Sequence, residues 1–133
     1  MMPLSGRGRS IAGAVIRADR ARETGDWAVA ARLYRMALDR YPRNPPIWVQ
    51  YGHALKESGE PAQAETAYRT ALAQDPHCAD TQVQLGHVLK LLGRHKEAEA
   101  AYLRAFAIDR GLAEPHSLFK DLTCNRVSDG CRL

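Results

Sequence analysis

The chain has 133 residues, 45% of them hydrophobic and 26% charged, with a formal charge of +4 and a pI near 9.2. That length supports one continuous core and is too short for two independent ones. The excess charge sits at the start, where Arg7, Arg9, Arg17, Arg20 and Arg22 face only Asp19, so the rest is balanced and offers no basic patch for nucleic acid.

From the beginning, residues 1–10 combine glycines, a proline and arginines and are expected to be a disordered basic N-terminus. Ile11 to Ile16 is apolar, but it is shorter than the core of a leader peptide and runs directly into Arg17. No segment approaches the roughly 18 apolar residues of a membrane span. A cytoplasmic location without a membrane partner is the expectation. Cys78, Cys124 and Cys131 match no metal spacing and are expected to be reduced thiols.

Val49-Gln-Tyr-Gly-His-Ala-Leu-Lys56 returns as Val83-Gln-Leu-Gly-His-Val-Leu-Lys90, 34 residues later. Such a period belongs to a repeat of two helices that buries its apolar face only by stacking. Blocks 11–44, 45–78 and 79–112 bring Gly25, Gly59 and Gly93 into one column, where glycine permits a left-handed turn between helices. Ala30, Ala64 and Ala98 form a second column, and Ala37, Ala71 and Ala105 a third, so the paired helices can approach closely. Tyr34, Tyr68 and Tyr102 fill the space that remains.

The punctuation follows the same register. Asn44 precedes Pro45 as a capping side chain, Pro61 opens the next helix, and Pro42 and Pro76 close the second helices. Trp48, Tyr51, Gly52 and Leu55 form a buried stripe. Residues 113–123, with Leu118 and Leu122 at i and i+4, predict a capping helix, and 124–133 a disordered tail. About seven helices and no strand are expected.

These residues carry a resemblance to a known family. Trp48, Gly52, Gly59, Ala64, Tyr68, Ala71 and Pro76, and again Leu85, Gly86, Gly93, Ala98, Tyr102 and Ala105, resemble the signature of the tetratricopeptide repeat. The first repeat departs in its first helix, with Arg17, Ala18 and Ala21, while Trp27, Ala30, Tyr34, Ala37 and Pro42 fit. The resemblance implies an all-α fold, a right-handed α-solenoid of antiparallel helix pairs. It also implies a concave groove, lined by the first helix of each pair, that receives an extended peptide or a helix of a partner protein. Ile47 to Glu57 is similar to segments that precede bacterial glycosyltransferase domains, implying a bacterial origin more than a sugar substrate.

On the face away from the Trp48 stripe, Val49, Gln50, His53 and Lys56 are matched by Val83, Gln84, His87 and Lys90. Two explanations account for the match. A duplication keeps its surface by descent; alternatively, a polar ladder bonds a partner's backbone, with the glutamines offering both donor and acceptor and the valines an apolar floor. His53 and His87 on neighbouring pairs stand roughly 8 to 10 Å apart, too far to share a zinc ligated at about 2 Å without leaning together. His77, His95 and His116 fall at turns or helix starts and are expected to be solvated.

Neither a phosphate loop, a metal-spaced His and Glu pair nor a nucleophile setting is present, so no catalytic residue, metal or cofactor is expected. The family's clamp for a chaperone's terminal carboxylate uses lysines, asparagines and an arginine. Val15, Asp19, Gln50, Asp80 and Gln84 occupy those places, so that capture is not expected. The expected function is a non-catalytic scaffold that binds a peptide or helical segment. The alternatives are self-assembly through the C-terminal end, with Leu118, Phe119 and Leu122 left uncovered, an accessory targeting module of a glycosyltransferase-type system, and nucleic-acid binding through the N-terminal arginines.

Overall fold

The computed structural model describes residues 2–111 of the chain, and side chains from residue 12 onward. Six helices run through them: α1 (Met2–Glu23), α2 (Trp27–Arg40), α3 (Pro45–Glu57), α4 (Pro61–Gln74), α5 (Ala79–Leu91) and α6 (His95–Ile108). No strand occurs among the described residues. The expected capping helix at 113–123 and the tail, with His116, Cys124 and Cys131, lie outside them.

The described chain divides into two compact units after Gln74. In the first, α1 packs on α2, α2 on α3 and α3 on α4; in the second, α5 packs on α6. Within each helix pair the reversal is made in one way. Gly25, Gly59 and Gly93 take φ of 81°, 91° and 79°, a region that a side chain disfavours. The residue after each glycine donates its N–H five residues back, Asp26 to Ala21, Glu60 to Leu55 and Arg94 to Leu89, at 2.8 to 2.9 Å. This is the Schellman closure of a helix C-terminus, which satisfies otherwise orphaned carbonyls and returns the chain antiparallel within three residues.

Packing follows the columns. Ala30, Ala64 and Ala98 are fully buried, and Tyr34, Tyr68 and Tyr102 are the largest side chains wholly removed from water. Burial of a side chain of that size contributes about 1.5–3 kcal/mol. Gly52 leaves room for the Tyr68 ring: a Cβ there would lie 2.7 Å from Cε1. Gly86 stands in the same relation to Tyr102. The exposed ion pair of Arg35 with Asp39, at 3.1 Å, adds only tenths of a kcal/mol, while that of Arg69 with Glu65, at 2.8 Å, has a half-buried carboxylate.

Three expectations are corrected. Residues 2–10 continue α1 rather than forming a disordered start. Pro3 falls in the first turn, where its missing N–H costs nothing, and extending an existing helix is far cheaper than nucleating one. Asn44 occupies the cap position of α3 but its side chain makes no capping bond; its carbonyl accepts from Ile47 and Trp48 instead, and Pro46, at the second helical position, removes one donor that a cap would serve. Trp48 and Tyr51 are only half-buried, whereas Gly52 and Leu55 are buried. Trp48 keeps its polar edge in use, since its indole Nε1 donates to the Pro42 carbonyl at 2.7 Å, and Gln74 Nε2 donates to the same oxygen at 2.8 Å. One carbonyl thus ties the α2–α3 turn to α3 and to the end of α4.

Candidate functional site

Every helix pair contains one hydrogen bond between the buried tyrosine of its second helix and a residue 15 positions earlier on its first. Tyr68 Oη lies 3.0 Å from His53 Nδ1, and Tyr102 Oη lies 2.8 Å from His87 Nδ1. In the first pair Tyr34 donates to Asp19 Oδ1, and Arg22 Nε donates to the Tyr34 hydroxyl at 3.2 Å. The rings of His53 and Tyr68 meet edge to face, as do those of His87 and Tyr102.

This changes the standing of the two histidines. The sequence pattern puts them on a face unneeded for packing, yet each binds the tyrosine that fills its own pair. A buried hydroxyl must find a partner, and the first helix provides it. The repetition of His at these places is therefore accounted for in part by structure.

The ionisation of these groups follows from burial. Tyr68 is pushed well above the usual phenol range by burial and by the nearby Glu57 carboxylate, and Tyr34 to about 12 by burial and its bond to Asp19. His53 is held below its ordinary value by burial and by the Lys56 ammonium, with Glu57 opposing. At neutral pH it is a neutral imidazole whose Nδ1 is already engaged.

The remaining expected residues are distributed as follows. On α3, Val49, Gln50 and Lys56 are half-buried, and Lys56 Nζ stands 3.9 Å from Glu57. Gln50 Oε1 is buried with no protein hydrogen-bond partner, so its carboxamide does not offer the outward acceptor expected of it. On α5, Val83, Gln84, His87 and Lys90 are half-buried. His77 and His95 are exposed. Cys78 is a free thiol whose sulfur accepts from Thr81 Oγ1 at 3.1 Å. Among the described residues no three His, Cys, Asp or Glu side chains are grouped to hold a metal ion, and no helix is long and apolar enough to cross a membrane.

A cleft of about 360 Å³ opens beside His53, lined by Arg22 from α1, Trp27 from α2, and His53, Lys56 and Glu57 from α3. The sequence reading did not mark Arg22 and Trp27 as site residues. Arg22 falls in the divergent first helix of the first repeat, and Trp27, although it fits the repeat signature, reaches the cleft from a different helix.

The family follows from comparison with known proteins. Two family models, both described as tetratricopeptide repeat, match residues 21–70 and 49–113. The chain belongs to the tetratricopeptide repeat family. Among solved structures, this tetratricopeptide protein is similar to the first such domain of Spaghetti (RPAP3), solved bound to the HSP90 peptide SRMEEVD, with a TM-score of 0.79 and 17% identity over 88% of this chain and 93% of that one. The Yersinia enterocolitica type III secretion chaperone SycD, in complex with a peptide of the translocator YopD, gives 0.73 and 17% over 91% and 88%. A crystal structure of MamA gives 0.77 and 21% over 86% of this chain, which spans 65% of the MamA chain. At these identities the likeness concerns the fold. No curated protein matches the chain.

Proposed function

We propose that this tetratricopeptide protein is a non-catalytic interaction module that binds a peptide or helical segment of a partner protein. Each of two matched faces, Val49, Gln50, His53 and Lys56 on α3 and Val83, Gln84, His87 and Lys90 on α5, is a partner-binding surface of its own unit. The observation that carries the reading is the identity of these faces. Tyr68 and Tyr102 account for the histidines, and the half-buried valines and glutamines recur beside them at both places. The peptides bound to Spaghetti and SycD, on the same fold, support the reading.

Panning random peptides displayed on phage against the full chain tests it. Replacing Val49, Lys56, Val83 and Lys90 together by alanine leaves both Tyr–His bonds in place, so helicity is retained and capture of the enriched peptides is lost. Equal capture by wild type and variant overturns the reading.

Self-assembly is the second reading, favoured by the exposure of Leu91, at 62%, and Leu103, at 49%, in the second unit. Light scattering separates the two: a monomer at tens of micromolar sets assembly aside. The likeness of Ile47 to Glu57 to segments preceding glycosyltransferase domains supports an accessory targeting role in a bacterial system. A cytoplasmic site of action belongs to the same reading.

A further inference from the structure

The cleft beside His53 has a one-sided chemistry. Of its five lining residues, Arg22, Lys56 and Trp27 carry only hydrogen-bond donors at their polar ends. His53 joins them through its hydrogen bond. Tyr68 makes no other hydrogen bond among the described residues, so its hydroxyl proton has one place to go, the ring nitrogen Nδ1. The ring proton then resides on Nε2, and the nitrogen left for a ligand is a donor.

Glu57 is the one acceptor. It stands at the rim, 48% exposed, and faces Lys56 at 3.9 Å. Asp19 adjoins Arg22, at a long 4.0 Å, but does not line the cleft; its Oδ1 accepts the Tyr34 hydroxyl. Tyr34 in turn accepts from Arg22 Nε, which fixes the guanidinium.

We propose that this cleft is a subsite for a carboxylate of the bound partner, held by Arg22 and Lys56 and oriented by the Nε2–H of the tyrosine-anchored His53. Side chains of four donor-bearing residues from three helices line about 360 Å³, room enough for an acidic side chain. Trp27 adds an apolar wall for the methylene groups of that side chain. Residues of α5 play no part, so the subsite belongs wholly to the first unit. The inference rests on the peptide-binding reading and specifies what that partner carries.

The test is a titration of the full chain, followed by NMR at the Trp27 indole and His53 ring, with N-acetyl-glutamate N-methylamide and its glutamine counterpart. The glutamate compound is expected to shift both signals saturably and to bind about tenfold more tightly than the amide. Lys56→Met removes that preference, and Lys56→Arg retains it. N-acetylglycine distinguishes sources: binding as tight as the glutamate compound assigns the subsite to a chain terminus, weaker binding to an acidic side chain. Equal response to glutamate and glutamine compounds, or a preference unchanged in both Lys56→Met and Arg22→Met, overturns the proposal. Panning that recovers no peptide while the glutamate preference persists overturns the peptide reading and leaves the carboxylate subsite standing.

Discussion

Tyr68 Oη and His53 Nδ1 lie 3.0 Å apart across the α3–α4 pair, and the tyrosine is fully buried. The bond closes the core around a ring that would otherwise bury an unsatisfied hydroxyl. Tyr68→Phe removes the donor and leaves Nδ1 without a partner, so a loss of about 1–2 kcal/mol is expected. It is measured as a lower urea midpoint at unchanged slope. His53→Asp restores an acceptor of the kind Asp19 gives Tyr34 and is expected to cost less than His53→Ala.

Protonation of His53 acts on the same bond. Burial and Lys56 hold its folded pKa below the usual 6.5, so between those values the unfolded chain binds the proton more readily. Stability is present in full above about pH 6.5 and is lost as pH falls toward the lowered folded value. An imidazolium also carries a proton on Nδ1 and can no longer accept from Tyr68. Urea midpoints at pH 7.5 and 5.5 check this: the wild type is expected to lose stability over that interval, and His53→Gln to lose less. An equal loss in both sinks the assignment.

Much of this arrangement is legible in the chain, and the reason is physical. A 34-residue period forces equivalent residues into equivalent environments, so the columns of Gly25, Gly59 and Gly93 foretell their positive φ. The same periodicity carries the tyrosine bonds as a constant offset of 15 residues, in Asp19 and Tyr34, His53 and Tyr68, His87 and Tyr102. That offset joins two helices, and a pattern taken one helix at a time does not reveal it. Periodicity therefore defines a polar helix face without disclosing the bond that its histidines make inward. Arg22 and Trp27 escape because side chains from three helices make the cleft, and no spacing within one helix encodes that convergence.

Gly52 and Gly86 are constrained by space. Each faces the ring of the following tyrosine, and at Gly52 an added Cβ would lie 2.7 Å from Tyr68 Cε1. Gly52→Ala is expected to destabilise the first unit by about 1–3 kcal/mol, because a buried ring must move off its optimum. The α1–α2 pair carries Ala18 at the matching place beside a buried Tyr34, so the fold has an arrangement that admits the methyl group. The cost then falls toward the lower end. Thermal unfolding of Gly52→Ala against Gly52→Val measures it, and the bulkier side chain is expected to fall well below the alanine variant.

Gly59 is constrained by its backbone alone. Its φ is 91° and nothing lies within 4 Å of the point where a Cβ would stand, so any penalty comes from the left-handed conformation and none from crowding. Gly59→Ala is expected to cost about 1 kcal/mol, and Gly59→Asn less, since asparagine enters that region more readily than other residues. A chemical denaturation series over glycine, asparagine, alanine and valine should rank them in that order. If alanine proves neutral, the Schellman closure of α3 contributes less than its three-fold recurrence implies.

Gln50 separates stability from binding. Its Oε1 is buried with no protein partner, and a buried acceptor left without one is a standing cost of about 1–3 kcal/mol. Gln50→Met keeps the length and removes the polar atoms, so the free protein is expected to become more stable. Peptide capture is expected to weaken, because the amide nitrogen on the proposed binding face is lost with the oxygen. Gln82 supplies the control. Its Oε1 is buried in the same unpartnered way, the residue is 8% exposed, and it lies on the far side of α5 from Gln84. Gln82→Met is expected to raise stability and leave capture unchanged. Parallel urea and peptide titrations on the two variants decide the matter: if both variants bind as the wild type does, the glutamine on α3 is no part of the partner surface, and its recurrence in the repeats is a mark of duplication.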